Sequence, residues 1–347
     1  MVIIIGAGLS GLITAYQLQK HSIPFKILES RDRVGGRILT KLSENTTPIE
    51  MGATWFGDQH YHLIQLLNDL KLPYFKQHTE GIAFYQPHIN SHPQQIQIPE
   101  QSPSYRISGG TSQIITSLLN KIDKESVFFN QTVKTITIHN KSILIEASTT
   151  FEADLIVLSI PPKLWSYNIE FSPKLPNNLQ TIAQNTHTWM EESIKVAIVY
   201  NSPFWRQRGF SGSLFSNSGP ITEFYDHSNA DNSKYALCGF INPNLKNNTK
   251  IERKQSVLSQ LKSIFGDEAL HMLEYHEFVW SEDLNTYFPS NQFIFPHQNN
   301  GNIIFSDTLF DNRLLFSGTE VSPHYGGYME GAVFIANETA RKIKETV

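Results

Sequence analysis

The sequence predicts an α/β fold in which a doubly wound parallel sheet is interleaved with a second, mixed-sheet α+β domain. An apolar β-branched run at Val2–Ile5 predicts a buried strand, and apolar residues at helical spacing from Leu9 to Lys20 predict a helix directly after it. Later apolar runs alternate with turns, which is typical of a mixed sheet. We assign residues 1–74, 106–173 and 282–347 to the first domain and residues 75–105 and 174–281 to the second.

The turn between this strand and helix contains three glycines at the spacing that holds a dinucleotide. Gly6 permits the tight turn, Gly8 lets the backbone approach a pyrophosphate, and Gly11 allows the helix to pack closely on the strand. Leu9 and Ser10 begin the helix, whose first N–H groups would face the phosphates. The alternative, an ordinary glycine-rich turn, does not account for the order of strand, glycines and helix.

The second strand ends in an acidic residue. Lys26–Leu28 is the predicted strand, and Glu29 follows it, 18 residues after Gly11. A carboxylate near this offset accepts hydrogen bonds from a ribose. We therefore expect a Rossmann-like dinucleotide-binding unit, which serves both NAD and FAD enzymes.

Further elements follow in order along the chain. The pattern predicts helices at Leu63–Leu72 and from Gly109–Gln113 to Leu119, and a last helix that starts near Met329, in the segment Gly326–Gly331, and runs to Lys344. It predicts strands at Val127–Val133, Thr135–Ile145, Asp154–Ser159, Val196–Tyr200 and Tyr235–Ile241, and a strand that runs into a loop over Leu314–Glu320.

The residues after Glu29 distinguish FAD from NAD. Ser30 and Arg31 lead into the paired glycines that end with Gly36, and Arg37 follows. This segment resembles the extension found in FAD enzymes of the flavin amine oxidase superfamily. There the glycines bring the backbone next to the pyrophosphate, and the arginine matching Arg37 supports the phosphate or flavin side. Charge-assisted bonds to a diphosphate are strong; the alternative is a solvated basic loop.

Three more segments extend the resemblance over nearly the whole chain. They are residues 52–54, residues 193–196 with 203–205, and residues 316–320 with 328–333. Together they resemble a flavin-dependent monoamine oxidase. The resemblance implies an oxidase that moves a hydride from the carbon alpha to an amine to flavin N5, giving an imine and then an aldehyde, while oxygen becomes hydrogen peroxide. It also implies a second set of cofactor-binding residues: Gly52, Ala53, Thr54, Trp55, Val133, Trp280, Gly318, Glu320, Tyr328 and Met329. For Val133, whose match contacts adenine, an ordinary core position is the alternative.

Lys195 and Tyr328 are the predicted catalytic residues. Lys195 interrupts the apolar run Ile194–Val199, and lysine is rarely buried without a partner. In the resembling family the matching lysine reaches flavin N5 through a water and assists the reaction with oxygen; the alternative is a sheet-edge lysine in solvent. Tyr328 matches one wall of the aromatic pair that brackets the substrate amine.

Two departures from the family pattern bear on the substrate and the cofactor. Where the second aromatic wall is expected, before Thr286–Pro289, the chain has Asp283 and Leu284. The same segment lacks the cysteine that some members use for a covalent flavin bond, and Cys238 lies in an apolar run typical of a buried thiol. We therefore expect noncovalent FAD.

The second glycine segment indicates the substrate class. Amino-acid oxidases of the superfamily place an arginine shortly after it to clamp the substrate carboxylate. This chain has Thr54, Trp55 and Phe56 instead. Burying an unpaired carboxylate costs several kcal/mol. We therefore expect the substrate to be a small-molecule amine without a carboxylate, and oxygen to be the second substrate.

Composition excludes several other classes. The 347 residues carry a net charge of −4, so no excess of positive charge favours binding to nucleic acid. No apolar run approaches the ~20 residues that span a bilayer, and the first strand begins too early for a signal peptide. A single cysteine fits a reducing compartment, and the 13 histidines show no metal-ligand spacing. We expect a cytoplasmic protein without a metal or a membrane anchor.

The sequence is also compatible with two alternative functions. One is a dehydrogenase or desaturase of the same superfamily that acts on a non-amine compound and passes electrons to a quinone. The other is a non-enzymatic FAD-binding module. Nothing in the sequence decides the oligomeric state or the particular amine.

Overall fold

The structure is a computed structural model that describes residues 1–88, 91–99, 102–290 and 293–346. Its α-helices are α1 (Leu9–Lys20), α2 (Tyr61–Asp69), α3 (Ser112–Leu119), α4 (Pro162–Asn168), α5 (Asn177–Gln184), α6 (Phe204–Gln207), α7 (Lys250–Phe265) and α8 (Met329–Thr346). Its strands are β1 (Val2–Ile5), β2 (Phe25–Leu28), β3 (Thr40–Leu42), β4 (Pro48–Glu50), β5 (Phe56–Gly57), β6 (Tyr74–Lys76), β7 (Ile82–Gln86), β8 (Gln94–Gln97), β9 (Ser104–Ile107), β10 (Val127–Phe128), β11 (Thr135–Ile138), β12 (Ile143–Glu146), β13 (Thr150–Ala153), β14 (Leu155–Leu158), β15 (Glu170–Ser172), β16 (Ile194–Tyr200), β17 (Phe210–Ser216), β18 (Ile221–Asp226), β19 (Tyr235–Ile241), β20 (Met272–Val279) and β21 (Leu314–Phe316).

A five-stranded parallel sheet forms one centre of the fold. Its strand order is β10-β2-β1-β14-β21. Successive residues of β1 point to opposite faces: Ile4 packs against the cluster that contains Leu12 of α1 and Val333 of α8, whereas Ile3 joins the cluster around Trp165 of α4. Helices therefore cover both faces of the sheet, and the predicted doubly wound α/β fold is confirmed.

A seven-stranded mixed sheet forms the second centre, in the order β20-β16-β19-β18-β17-β7-β8. Its neighbours are antiparallel except β17 and β7, which run parallel. In β16, Val196 and Ile198 pack with Leu261 of α7, while Ala197 and Val199 face the other way, towards Met51. Because side chains alternate along a strand, Lys195 also projects from this second face.

Two predicted strands were wrong in their extent. Val127–Val133 forms a strand only at β10, since Asn130 adopts a positive φ of 57° that ends the extended run. Thr135–Ile145 is two strands, β11 and β12, because a turn closes between them with the N–H of His139 bonded to the carbonyl of Ser142 at 2.9 Å. Both strands belong to a four-stranded sheet in the order β13-β12-β11-β15.

The remaining predicted elements agree closely in position. Helices α1 and α3 and strand β19 end where the pattern places them, and α8 reaches Thr346, two residues past the predicted end. Helix α2 stops at Asp69 rather than Leu72, because Lys71 takes a positive φ of 56°. Over the described ranges, no helix combines the length and apolarity needed to cross a bilayer.

Candidate active site

A cavity of about 670 Å³ runs from the carboxyl ends of β1 and β2 to the face of the seven-stranded sheet that carries Lys195. This volume is in the range of small-molecule sites, about 300–1,000 Å³. The carboxyl edge of a doubly wound sheet is where such folds bind ligands. Residues of both sheets therefore line one continuous cavity.

The three glycines of the first turn have distinct structural roles. Gly6 takes a positive φ of 103°, which L side chains rarely adopt. A Cβ on Gly11 would lie 2.1 Å from the carbonyl oxygen of Gly6, so this glycine lets α1 pack on the turn. A Cβ on Gly8 would meet no protein atom within 4 Å. The space beside Gly8 is open to a ligand that approaches the backbone.

Glu29 lies on the cavity wall at the end of β2 and is only 3% exposed. Its carboxylate accepts one hydrogen bond from the N–H of Ala7 at 2.8 Å and another from the N–H of Arg31 at 3.0 Å. Each carboxylate oxygen has further acceptor capacity. Backbone groups thus hold a carboxylate in place for hydroxyl donors such as those of a ribose.

Two arginines on the wall are held by carboxylates. Arg31 pairs with Asp283 at 2.7 Å and donates to the Thr286 hydroxyl at 2.9 Å. Arg37 binds Glu320 in a two-pronged pair at 2.5 and 3.0 Å and donates to the carbonyl of Trp189 at 2.9 Å. These pairs fix both guanidinium groups in orientation while leaving them on the cavity surface.

Lys195 lies on the cavity wall and is fully buried. Its ammonium nitrogen is 4.5 Å from the ring centroids of both Trp55 and Phe240, and it donates to the Thr54 hydroxyl at 3.2 Å. Strand β16 is flanked by β19 and β20, so it is an interior strand. The alternative of a solvated edge lysine is therefore wrong.

Tyr328 stands at the start of α8, lines the cavity and is 40% exposed. Its ring is 5.8 Å from that of Trp189 and 5.5 Å from that of His297, which lies nearly parallel to it at 13°. Leu284 also lines the cavity but is 73% exposed, so it forms rim rather than wall. Trp189, which the sequence did not single out, is a second aromatic side chain that lines the cavity beside Tyr328.

Two titratable residues flank Trp189. Burial, together with the nearby His297, lowers the pKa of His187 to about 4. The neutral His187 ring accepts a hydrogen bond through Nδ1 from the backbone N–H of His297 at 3.2 Å. Burial raises the pKa of Glu191 to about 7 although Lys163 lies 3.0 Å away.

Most of the residues predicted to bind the cofactor line the cavity. These are Gly6, Gly8, Leu9, Ser10, Glu29, Ser30, Arg31, Gly36, Arg37, Gly52, Ala53, Thr54, Trp55, Val133, Gly318, Tyr328 and Met329.

Three predicted residues lie behind the wall and act through neighbours. Gly11 packs α1 on the turn, and Glu320 orients Arg37. Trp280 is fully buried and donates from its indole to the carbonyl of Met51 at 2.7 Å, which supports the second glycine segment. Within the part of the chain that the structure describes, no group of histidine, cysteine or acidic side chains is arranged to hold a metal.

Comparison with known proteins agrees with this geometry. A family model described as flavin containing amine oxidoreductase matches residues 9–97 and 91–344. The probable flavin-containing monoamine oxidase A of Dictyostelium discoideum is 24% identical over 99% of this chain and 97% of its own length. Human flavin-containing amine oxidase B is 23% identical over 99% of this chain and 85% of its own.

Solved structures share the fold. A putrescine oxidase, wild type bound to putrescine, matches with a TM-score of 0.85 at 22% identity, over 99% of this chain and 98% of that one. The cyclohexylamine oxidase from Brevibacterium oxydans IH-35A matches with a TM-score of 0.86 at 20% identity over the same shares, 99% and 98%. The glycine turn with Glu29 and the shape of the cavity are consistent with the family match, which extends over almost the whole length. The chain belongs to the flavin containing amine oxidoreductase family.

Proposed function

We propose that this protein is an amine oxidase that holds FAD without a covalent bond and acts on small amines that lack a carboxylate. The observation that carries the proposal is one cavity that joins the glycine turn to a fully buried Lys195. One end has the chemistry for a dinucleotide, and the other has an amine side chain enclosed by aromatic rings.

The residues present fit FAD. The open space at Gly8 admits a pyrophosphate, and the backbone-held carboxylate of Glu29 suits ribose hydroxyls. Arg37 and the N-terminus of α8 at Met329 lie on the same cavity, where their donors would meet the polar flavin edge. The bound flavin would take a hydride from the carbon alpha to the amine and return the electrons to oxygen, so that the products are an imine, then an aldehyde, and hydrogen peroxide.

The protein contributes position and polarity at the amine end. Thr54, Trp55 and Phe240 fix the ammonium nitrogen of Lys195, which can hold a water at the cavity. Tyr328 and Trp189 lie in contact with each other and line the part of the cavity where an amine would lie. Holding the reacting carbon in one orientation lowers the barrier, because the entropy of alignment is lost on binding.

Arg106 and Arg206 do not provide a clamp for an amino-acid carboxylate, because both are engaged away from the cavity. Arg106 is buried, contacts the His227 ring at 3.0 Å and donates to the carbonyl of Ser228. Arg206 binds Asp226 through two nitrogens, at 2.6 and 2.8 Å. Neither is among the residues that line the cavity. This supports amines over amino acids as substrates.

The cysteine position supports noncovalent binding. Cys238 is fully buried, and its thiol contacts the carbonyl of Glu50 at 3.4 Å, away from the cavity wall. Burial also raises the pKa of this thiol, which disfavours the reactive thiolate. Asp283, in the segment where some members carry a cysteine, is paired with Arg31.

The cofactor claim is tested by acid precipitation of the purified protein. We expect a yellow protein with one FAD per chain whose colour stays in the supernatant. Colour that remains with the pellet would show a covalent bond.

The substrate claim is tested by anaerobic mixing with matched amines and amino acids, followed by admission of air. Amines should bleach the flavin faster than the corresponding amino acids, and air should restore the colour with release of peroxide. An amino acid as the best substrate would contradict the proposal. Slow reoxidation in air would favour a dehydrogenase, and a flavin that no amine bleaches would favour a binding module.

A further inference from the structure

A row of three side chains crosses the seven-stranded sheet at the cavity. Phe240 of β19 is paired with Lys195 of β16 on one side and with Glu223 of β18 on the other. Directly opposed residues of antiparallel strands project from the same face, and all three line the cavity. Neighbouring strands are about 4.8 Å apart, so Lys195 and Glu223 stand on the order of 10 Å from each other across the sheet.

The carboxylate of Glu223 lies on the cavity wall and is held by one tyrosine. It accepts a hydrogen bond at 3.0 Å from the hydroxyl of Tyr225, which lies two residues along the same strand and therefore on the same face. In the described ranges no lysine, arginine or histidine forms an ion pair with it, although Lys76 also lines the cavity. The carboxylate is thus oriented and available to a cation from a ligand.

The wall between Lys195 and Glu223 is apolar. The Trp55 ring lies 6.3 Å from that of Phe240 and meets Tyr225 edge-on at 5.1 Å. Aromatic faces of this kind suit a chain of methylene groups. A ligand that spans the row would therefore place carbon against the rings and its two ends at the polar positions.

We propose that Glu223 binds the second ammonium group of the substrate, so that the preferred substrates are short aliphatic diamines or polyamines. The reacting amine lies at the Lys195 and Tyr328 end, and the far ammonium group lies at Glu223 and takes no part in the chemistry. This inference rests on the proposed amine oxidase function and adds the substrate class to it.

The test compares diaminobutane with pentylamine, which has a methyl group where the diamine has its second ammonium. Anaerobic rapid mixing of the FAD-loaded enzyme separates the dissociation constant of each amine from its limiting rate of flavin reduction. In Glu223→Gln the dissociation constant of diaminobutane should rise about tenfold, the low end for a charged hydrogen bond, because Glu223 is exposed. The constant for pentylamine should change less than about twofold.

The control is Glu152→Gln, an exposed acid on β13 outside the cavity, which should change neither constant. Added salt should weaken diaminobutane binding in the parent more than in Glu223→Gln, because salt screens the ion pair. Equal affinities of the parent for the two amines, or equal losses for both in Glu223→Gln, would overturn the inference and leave the amine oxidase proposal standing. A flavin that neither amine reduces would instead overturn the proposed function itself.

Discussion

At the nucleotide end the cavity is lined by the end of β2 and by the glycine turn, whose backbone no side chain covers at Gly6 and Gly8, and these two segments are close together in the sequence. At the amine end the wall is side chains from β16, β18 and β19 and from the segments around Trp55 and Tyr328. A backbone site depends on conformation, which nearby residues dictate. A side-chain site depends on strand register and on packing between distant parts of the chain.

Alanine at Gly8 or Gly11 should break the nucleotide end in two different ways. Gly11→Ala forces a Cβ to 2.1 Å from the Gly6 carbonyl, so the free energy of unfolding should fall by about 3 kcal/mol, the upper range for overpacking. Gly8→Ala meets no protein atom within 4 Å, so the apoprotein should melt like the parent while FAD affinity falls by about 10²-fold or more. Thermal melting with and without FAD distinguishes the loss of stability in Gly11→Ala from the loss of FAD binding in Gly8→Ala. An unstable Gly8→Ala apoprotein would contradict the prediction, because it would show that protein atoms fill the space beside Gly8.

At the amine end, substitutions of Lys195 and Tyr328 should slow different half-reactions of the flavin. Lys195→Met removes the polar group of the Trp55–Phe240 sandwich, and reoxidation by oxygen should slow by about 10²-fold while reduction changes less. Tyr328→Ala removes a wall that positions the amine, so anaerobic reduction should slow by about 10²-fold with reoxidation nearly intact. Both variants should keep FAD. Reoxidation of Lys195→Met at the parent rate would assign this lysine a structural role alone.

Glu29→Ala tests the carboxylate at the end of β2 that is proposed to bind the ribose of FAD. Losing a charged hydrogen bond to the ribose should weaken FAD binding by roughly 1.5–3 kcal/mol. Titration of apoprotein with FAD, followed by flavin fluorescence, measures the change. Glu152→Ala serves as the exposed control, and unchanged affinity in Glu29→Ala would remove this residue from the site.

The smallest expected effect is a dependence of the free energy of unfolding on pH, caused by the buried His187 ring beside Trp189. The pKa of His187 is lowered to about 4 in the folded state, whereas an unfolded histidine titrates near ~6.5. Between these values the unfolded chain binds more protons, so this residue's contribution to stability is lost as the pH falls below ~6.5.

The matched variant is His187→Asn, whose carbonyl oxygen can replace Nδ1 as the acceptor for the His297 N–H. Relative to this variant, the parent should lose about 1 kcal/mol of unfolding free energy between neutral pH and about pH 5.5. Urea unfolding of the two proteins at both pH values gives the difference. Parallel pH profiles would mean that His187 titrates normally.

The difference between the nucleotide end, built from neighbouring residues, and the amine end, built from distant ones, explains which parts of the site could be predicted from the sequence. The β1–α1–β2 unit was predictable because its glycines, its apolar period and Glu29 all lie in one short stretch. Lys195 could be singled out because one charge stands in an apolar strand. Trp189 and His297 could not, because they meet Tyr328 only through packing between segments that are far apart in the chain. Glu223 became visible only when the register showed it beside Phe240.

The alternation of side chains in the seven-stranded sheet has a consequence for how such a protein can diversify. In β18, Glu223 and Tyr225 face the cavity, whereas Phe224 packs in the core with α7. Substitutions at cavity positions can therefore change ligand preference while the core residues stay as they are. A one-residue insertion or deletion inside the strand would exchange the two faces and bury a charge under α7. Evolutionary change in this sheet should accordingly proceed by replacement of alternate residues, with strand length held constant.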